Sequence, residues 1–98
     1  MTVVNLQAFA AGLPDAWRSR VLGQVGPARI KVLRMDSLAY EEELHDYNEA
    51  LLVLEGEMAL TVRGEPVHVR AGELYLVEAG TPHAVARGSH GTLVIVDV

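Results

Sequence analysis

Cysteine is absent from the 98 residues, which removes disulfide staples, thiolate metal sites and thiol nucleophiles together. Ligation and acid–base work therefore fall to His, Asp and Glu. Lys and Arg number only eight, scattered along the chain, and the net charge is −5 with His neutral. A phosphate-binding surface needs clustered cations, so no nucleic-acid partner is expected. Long apolar runs are missing too, and "MTVVNLQAFAAGLPDAW" lacks a basic leader, so neither a membrane helix nor a signal peptide is expected and the location expected is cytoplasmic. Ser19, Ser37 and Ser89 lie outside any Gly-x-Ser-x-Gly elbow, and no loop is glycine-dense enough to cradle phosphate.

Half of the residues are apolar. At this length they fill one core and not two, so a single domain is expected, with an N-terminal arm over 1–28 and a β-barrel over 29–98. Asn5 is placed to cap a short helix through "LQAFAA", ended by Gly12-Leu13-Pro14. Trp17 reads as an anchor of the arm on the sheet.

From Arg29 on, Gly or Pro breaks the text every eight to ten residues, and the runs between are rich in Val, Leu, Ile and Thr. Such runs are strands. They are expected over 29–35, 39–44, 49–54, 58–63, 66–70, 73–78, 83–86 and 92–98, with turns at "EGE", "RGEP", "RAGE", "AGTP" and "RGSHG". Short strands joined by tight turns imply an antiparallel sandwich or barrel. In "MALTVR" the alternation is clean, with Met58, Leu60 and Val62 on one face. "EALLVL" and "TLVIVDV" are apolar on both faces, which places them between two layers or at a subunit contact; a homodimer is expected on that ground.

Two segments carry the chemistry. Glu49 precedes Gly56 with His45 just upstream, and Gly72 is followed by Gly80 and then His83. In this spacing the chain resembles the cupin family, whose first motif runs HxH, three or four residues, Glu, six residues, Gly, and whose second runs Gly, five residues, PxG, two residues, His. Glu49 and Gly56 fall on the first motif, and Gly72, Gly80 and His83 on the second. The resemblance implies an all-β double-stranded β-helix, the jelly-roll barrel, with a short N-terminal helix.

The departures lie at the chemistry. "EEELHDYNE" offers Glu43 and His45 in one register of the HxH pair and Glu42 and Leu44 in the other, and a one-residue slip turns a side chain to the opposite face. Glu78 stands where the second motif has proline. In the first register His45, Glu49 and His83 form a two-histidine, one-carboxylate set for Fe, Mn, Ni or Zn, with Glu43 and the donors Tyr47 and Tyr75 lining the pocket. The resemblance implies a small-molecule ligand, and oxygenase- or isomerase-like chemistry if a metal is held. The alternative is a metal-free, non-catalytic module that binds a metabolite or self-associates. His68 and His90 read as outward or loop residues, and Met35 and Met58 as core filler.

Overall fold

Asn5 is extended (φ −82, ψ 103), and its side-chain oxygen accepts from the Ala8 N–H at 3.0 Å, so helix α1 (Leu6–Ala11) starts at the expected cap. Gly12 ends it with φ −86, in the right-handed region and not the left-handed one expected of a closing glycine. The computed structural model describes residues 3–38 and 40–98. Ala39, the first residue of the strand expected over 39–44, lies outside them.

Eight strands follow α1: β1 (Arg20–Val25), β2 (Ala28–Asp36), β3 (Tyr40–Glu43), β4 (Glu49–Val62), β5 (Glu65–Arg70), β6 (Leu74–Val77), β7 (His83–Val85) and β8 (His90–Asp97). The fold is the expected all-β barrel with one short helix, but two elements differ. β1 lies within the stretch 1–28 expected to be an arm, and it pairs antiparallel with β2 across a turn at Gly26 (φ 60). Its own pattern is almost wholly exposed, so pairing rather than amphipathicity makes it a strand.

The second difference is at "EGE", where a turn was expected between two strands. The chain instead continues as β4, fourteen residues long. Its register against β8 shifts between Val53 and Glu55, and Gly56 sits at φ 82: this is a bulge and not a reversal. The bulge has a packing purpose. Before it Glu49, Leu51 and Val53 are the buried positions, and after it Met58 and Leu60 are, so the extra residue swaps parity and keeps both halves facing one core.

The bulge also divides the partners of β4. Its first half runs between β8 and β6, and its second half between β5 and β7, with β3 beyond β7 and β2 and β1 beyond β8. Two facing layers thus share one long strand. Between them Leu33, Met35, Leu51, Val53, Met58, Leu60, Val69, Val77, Leu93 and Ile95 form the main core.

The double-sided apolarity of "EALLVL" and "TLVIVDV" is met partly within the chain. α1 packs outside β2 and β8, where Ala10, Val32 and Val94 are buried with Leu6, Phe9, Ile30, Leu52 and Leu54 around them. Beyond the helix, Leu74, Leu76 and Val96 remain exposed. Trp17 performs the expected anchoring: its N–H bonds to the Arg34 carbonyl at 2.8 Å, and its indole donates to Asp36.

Candidate metal centre and adjoining cavity

Antiparallel pairing of β3 with β7 sets Glu43 beside His83, and the same residue of β7 lies opposite Val62 of β4. His45 stands two residues past Glu43, in the loop leading to β4. That loop is tied to the turn before β7: the Gly80 N–H bonds to the His45 carbonyl at 2.7 Å, and the Ala79 N–H to Asn48 Oδ1 at 2.9 Å. Gly80 holds φ 77, which the glycine of the second motif tolerates without strain. The two motif segments, distant in the text, are thereby bolted together.

This pairing settles the register. Glu43 and His45 line the interior, while Glu42 is exposed and Leu44 is 63% exposed. From the other layer, the first residue of β4 brings in Glu49, which is buried. One ligand atom from each of Glu43, His45, Glu49 and His83 lies within 4.8 Å of the other three. His45 Nε2 is 3.2 Å from Glu43 Oε2, and His83 Nε2 is 3.4 Å from Glu49 Oε1 and 3.9 Å from Glu43 Oε2.

The state of His83 is legible from its partners. Nδ1 lies 2.9 Å from the Thr81 carbonyl, which only accepts, so Nδ1 carries a proton and Nε2 faces the carboxylates. Nε2 is buried and has no hydrogen-bond partner among the described residues. His45 is packed from the side, its ring stacked on Tyr47 at 4.8 Å between centroids and tilted 58° to His83.

These groups open onto a cavity of about 200 Å³, bounded by Leu33, Leu51, Met58, Val85, Leu93 and Ile95 on its apolar side. Of the remaining expected pocket residues, Glu43 and Tyr47 line it. Tyr75 does not: it lies on β6 and packs against the main core.

Besides the apolar wall, sequence reasoning missed four lining residues, Trp17, Ser19, Lys31 and Asp97. Strand parity held the signal for two of them. Lys31 alternates with Leu33 and Met35, and Asp97 with Leu93 and Ile95, so each shares the inward face with core residues. Asp97 is almost fully buried and meets Lys31 Nζ at 2.9 Å through one oxygen and 3.2 Å through the other, with Arg29 at 4.0 Å.

Burial pushes the Glu49 carboxyl above its ordinary range, the neighbouring Asp97 carboxyl adds to this, and His45 and His83 oppose it. Burial also raises the Tyr47 hydroxyl, followed by the carboxylates of Asp97, Glu49 and Glu43.

The other expectations about side chains resolve simply. His68 is exposed and pairs with Glu57 at 3.1 Å, and the exposed His90 turns Nδ1 to the Gly88 carbonyl at 3.0 Å. Ser89 is fully buried, accepting from the Ala59 N–H and donating to the Ala86 carbonyl, so its hydroxyl is spent on holding a loop.

Residues 36–98 match the family profile described as Cupin domain. A 52-residue stretch is 38% identical to the HTH-type transcriptional regulator PuuR of Escherichia coli, covering 53% of this chain and 28% of the regulator. Among solved structures, a cupin-2 domain protein from Shewanella frigidimarina superposes with a TM-score of 0.86 at 21% identity, over 96% of this chain and 92% of the other. A Neisseria meningitidis protein does so with 0.82 at 20%, over 99% of both chains. At those identities the superpositions speak for the fold.

Proposed function

The chain belongs to the cupin domain family, and from that premise we propose that it holds one divalent transition-metal ion between Glu43, His45, Glu49 and His83 and binds a small molecule in the adjoining cavity. The observation that carries this reading is His83 Nε2. It is buried, lacks a hydrogen-bond partner among the described residues and faces two carboxylates. Acceptors gathered around a common point repel one another unless a proton or a cation sits among them, and three carboxylates in the cavity, Glu43, Glu49 and Asp97, outnumber the single Lys31 ammonium.

The donor set suits the group. Imidazole with carboxylate and no thiolate fits Fe, Mn, Ni or Zn. At ligand distances of about 2.0–2.2 Å, two donors on opposite sides of an ion stand roughly 4.0–4.4 Å apart, so the present 4.8 Å spread closes with movements of a few tenths of an ångström. An ion there would polarise a carbonyl or bind dioxygen, which is the basis for oxygenase- or isomerase-like chemistry. The protein's own part is plainer. The Thr81 carbonyl fixes the His83 tautomer and Tyr47 braces the His45 ring, as supporting groups do around metal ligands. The apolar wall packs the carbon of the ligand and limits water.

Elemental analysis of untagged protein tests the reading. About one metal ion per chain is expected; none after reconstitution with Fe, Mn, Ni and Zn would overturn it. A second reading, a non-catalytic module that senses a metabolite, is favoured by the sequence match to part of a transcriptional regulator. The two differ in turnover: a sensor binds its ligand and returns it unchanged. We also propose a cytoplasmic homodimer, supported by the exposed apolar residues Leu74, Leu76 and Val96 beyond the reach of α1. No helix among the described residues is long and apolar enough to cross a membrane.

A further inference from the structure

Lys31 is the unusual residue of the cavity. It stands on β2 on the face occupied by Leu33 and Met35, and its side chain is only 15% exposed. An ammonium in that position is costly unless partnered, and Asp97, 2% exposed, supplies the partner through both oxygens. Lysine has three N–H donors. Asp97 engages at most two of them, and no further acceptor for Lys31 occurs among the described residues, although the side chain lines the cavity.

We infer that Lys31 anchors the anionic end of a small two-ended oxyacid, whose other end, a carboxylate, hydroxyl or oxo group, meets the metal ion. The inference rests on the metal reading above. With a divalent ion on Glu43, His45, Glu49 and His83, that ion and Lys31 balance the charges of Glu43, Glu49 and Asp97, and the groups with unused capacity for a ligand are the ion and the remaining Lys31 N–H. An oxyacid bridging them offers a charged acceptor to each, whereas an ammonium offers a lone pair to neither and a neutral alcohol offers only the weaker, uncharged acceptor. The layout brings the two ends near each other. Lys31 and the four candidate ligands line one and the same cavity of about 200 Å³, so a short molecule in it faces both.

Size narrows the class further. The cavity of about 200 Å³ falls below the roughly 300–1,000 Å³ of pockets for drug-sized ligands, which points to an acid of on the order of three to six carbons. Its short chain would lie along Leu33, Leu51 and Ile95.

The test uses full-length untagged protein loaded with Mn or Ni and freed of excess metal. Succinate, malate and 2-oxoglutarate are titrated calorimetrically against butane-1,4-diol and butane-1,4-diamine. At least one diacid is expected to bind better than the diol and diamine. Lys31→Gln, neutral and still able to hydrogen-bond Asp97, should keep the metal content of the wild type while its diacid affinity falls tenfold or more; Lys31→Arg should retain affinity within a few-fold. Unchanged diacid affinity in a metal-loaded K31Q protein, preference for the diamine, or no binding of any diacid by metal-loaded wild type would each overturn the inference and leave the metal centre standing. A wild type that takes up no metal removes the centre itself, and the bridging ligand with it. If Lys31 only completes a structural ion pair, K31Q shifts the melting temperature and leaves diacid affinity alone, which also refutes the anchor.

Discussion

His83 Nε2 stands 3.4 Å from Glu49 Oε1, the imidazole and carboxylate belonging to opposite layers of the barrel and both nearly closed off from water. Despite this closeness Nε2 makes no hydrogen bond among the described residues, which leaves it available to an ion. His83→Ala is therefore expected to drop metal content from about one ion per chain to near zero. Elemental analysis and circular dichroism on the same sample check it. A folded variant with undiminished metal would mean that His83 is not a ligand.

Gly56 and Gly91 face each other where β4 crosses β8. A Cβ at Gly56 would lie 2.0 Å from the His90 carbonyl oxygen, and one at Gly91 2.0 Å from that of Glu55. Neither obstacle is a side chain that can swing away. Either alanine variant should cost roughly 3–5 kcal/mol. Gly72→Ala, also at positive φ (85) but with nothing within 4 Å, should cost only about 1–2 kcal/mol. Urea denaturation measures the difference, and equal losses at the three positions would refute the close-approach explanation.

Glu49 sets a pH dependence in the metal-free protein. Its folded carboxyl is raised above the ordinary 4.5, by burial first and Asp97 second. The folded chain then keeps a proton that the unfolded chain has released, so the stability from this group is fully present below the unfolded value and is lost as pH rises through the folded one. Glu49→Gln, neutral throughout, should exceed the wild type in melting temperature near neutrality, by a margin that shrinks on acidification toward 4.5. Melts in chelator across this range provide the measurement; a constant margin would contradict the assignment.

Met58 is fully buried and also touches the cavity. Met58→Ala is expected to destabilise by about 2–5 kcal/mol, toward the lower end if water or ligand enters the enlarged space. Chemical denaturation with and without metal separates the two contributions.

Trp17 is the only tryptophan and lines the cavity. Its emission should shift when metal or ligand enters, and Trp17→Phe should lose the signal while retaining metal content. Emission unchanged by metal that elemental analysis shows to be bound would place the ion away from this cavity.

Much of the architecture was readable because strand and helix signals are local. Asn5 caps where a short polar side chain can reach a free N–H, and the Gly and Pro breaks bound most of the strands. Two features escaped because they depend on partners. β1 is a strand by virtue of its neighbour β2, and "EGE" resembles a turn but is a bulge, since whether Gly56 reverses the chain or shifts its parity depends on β8 lying alongside.

The candidate site divides along the same line. Composition alone confined ligation to His, Asp and Glu by offering no thiol, and motif spacing singled out Glu49 and His83. Which of Glu42 or Glu43 turns inward was undetermined along the chain, because a strand has two equivalent faces until pairing chooses one. The β3–β7 register made that choice, and the β4–β8–β2 layer brought Asp97 and Lys31 to the same cavity. Side-chain identity travels with the text, but convergence at a point is a property of paired backbones, and those contacts are long-range.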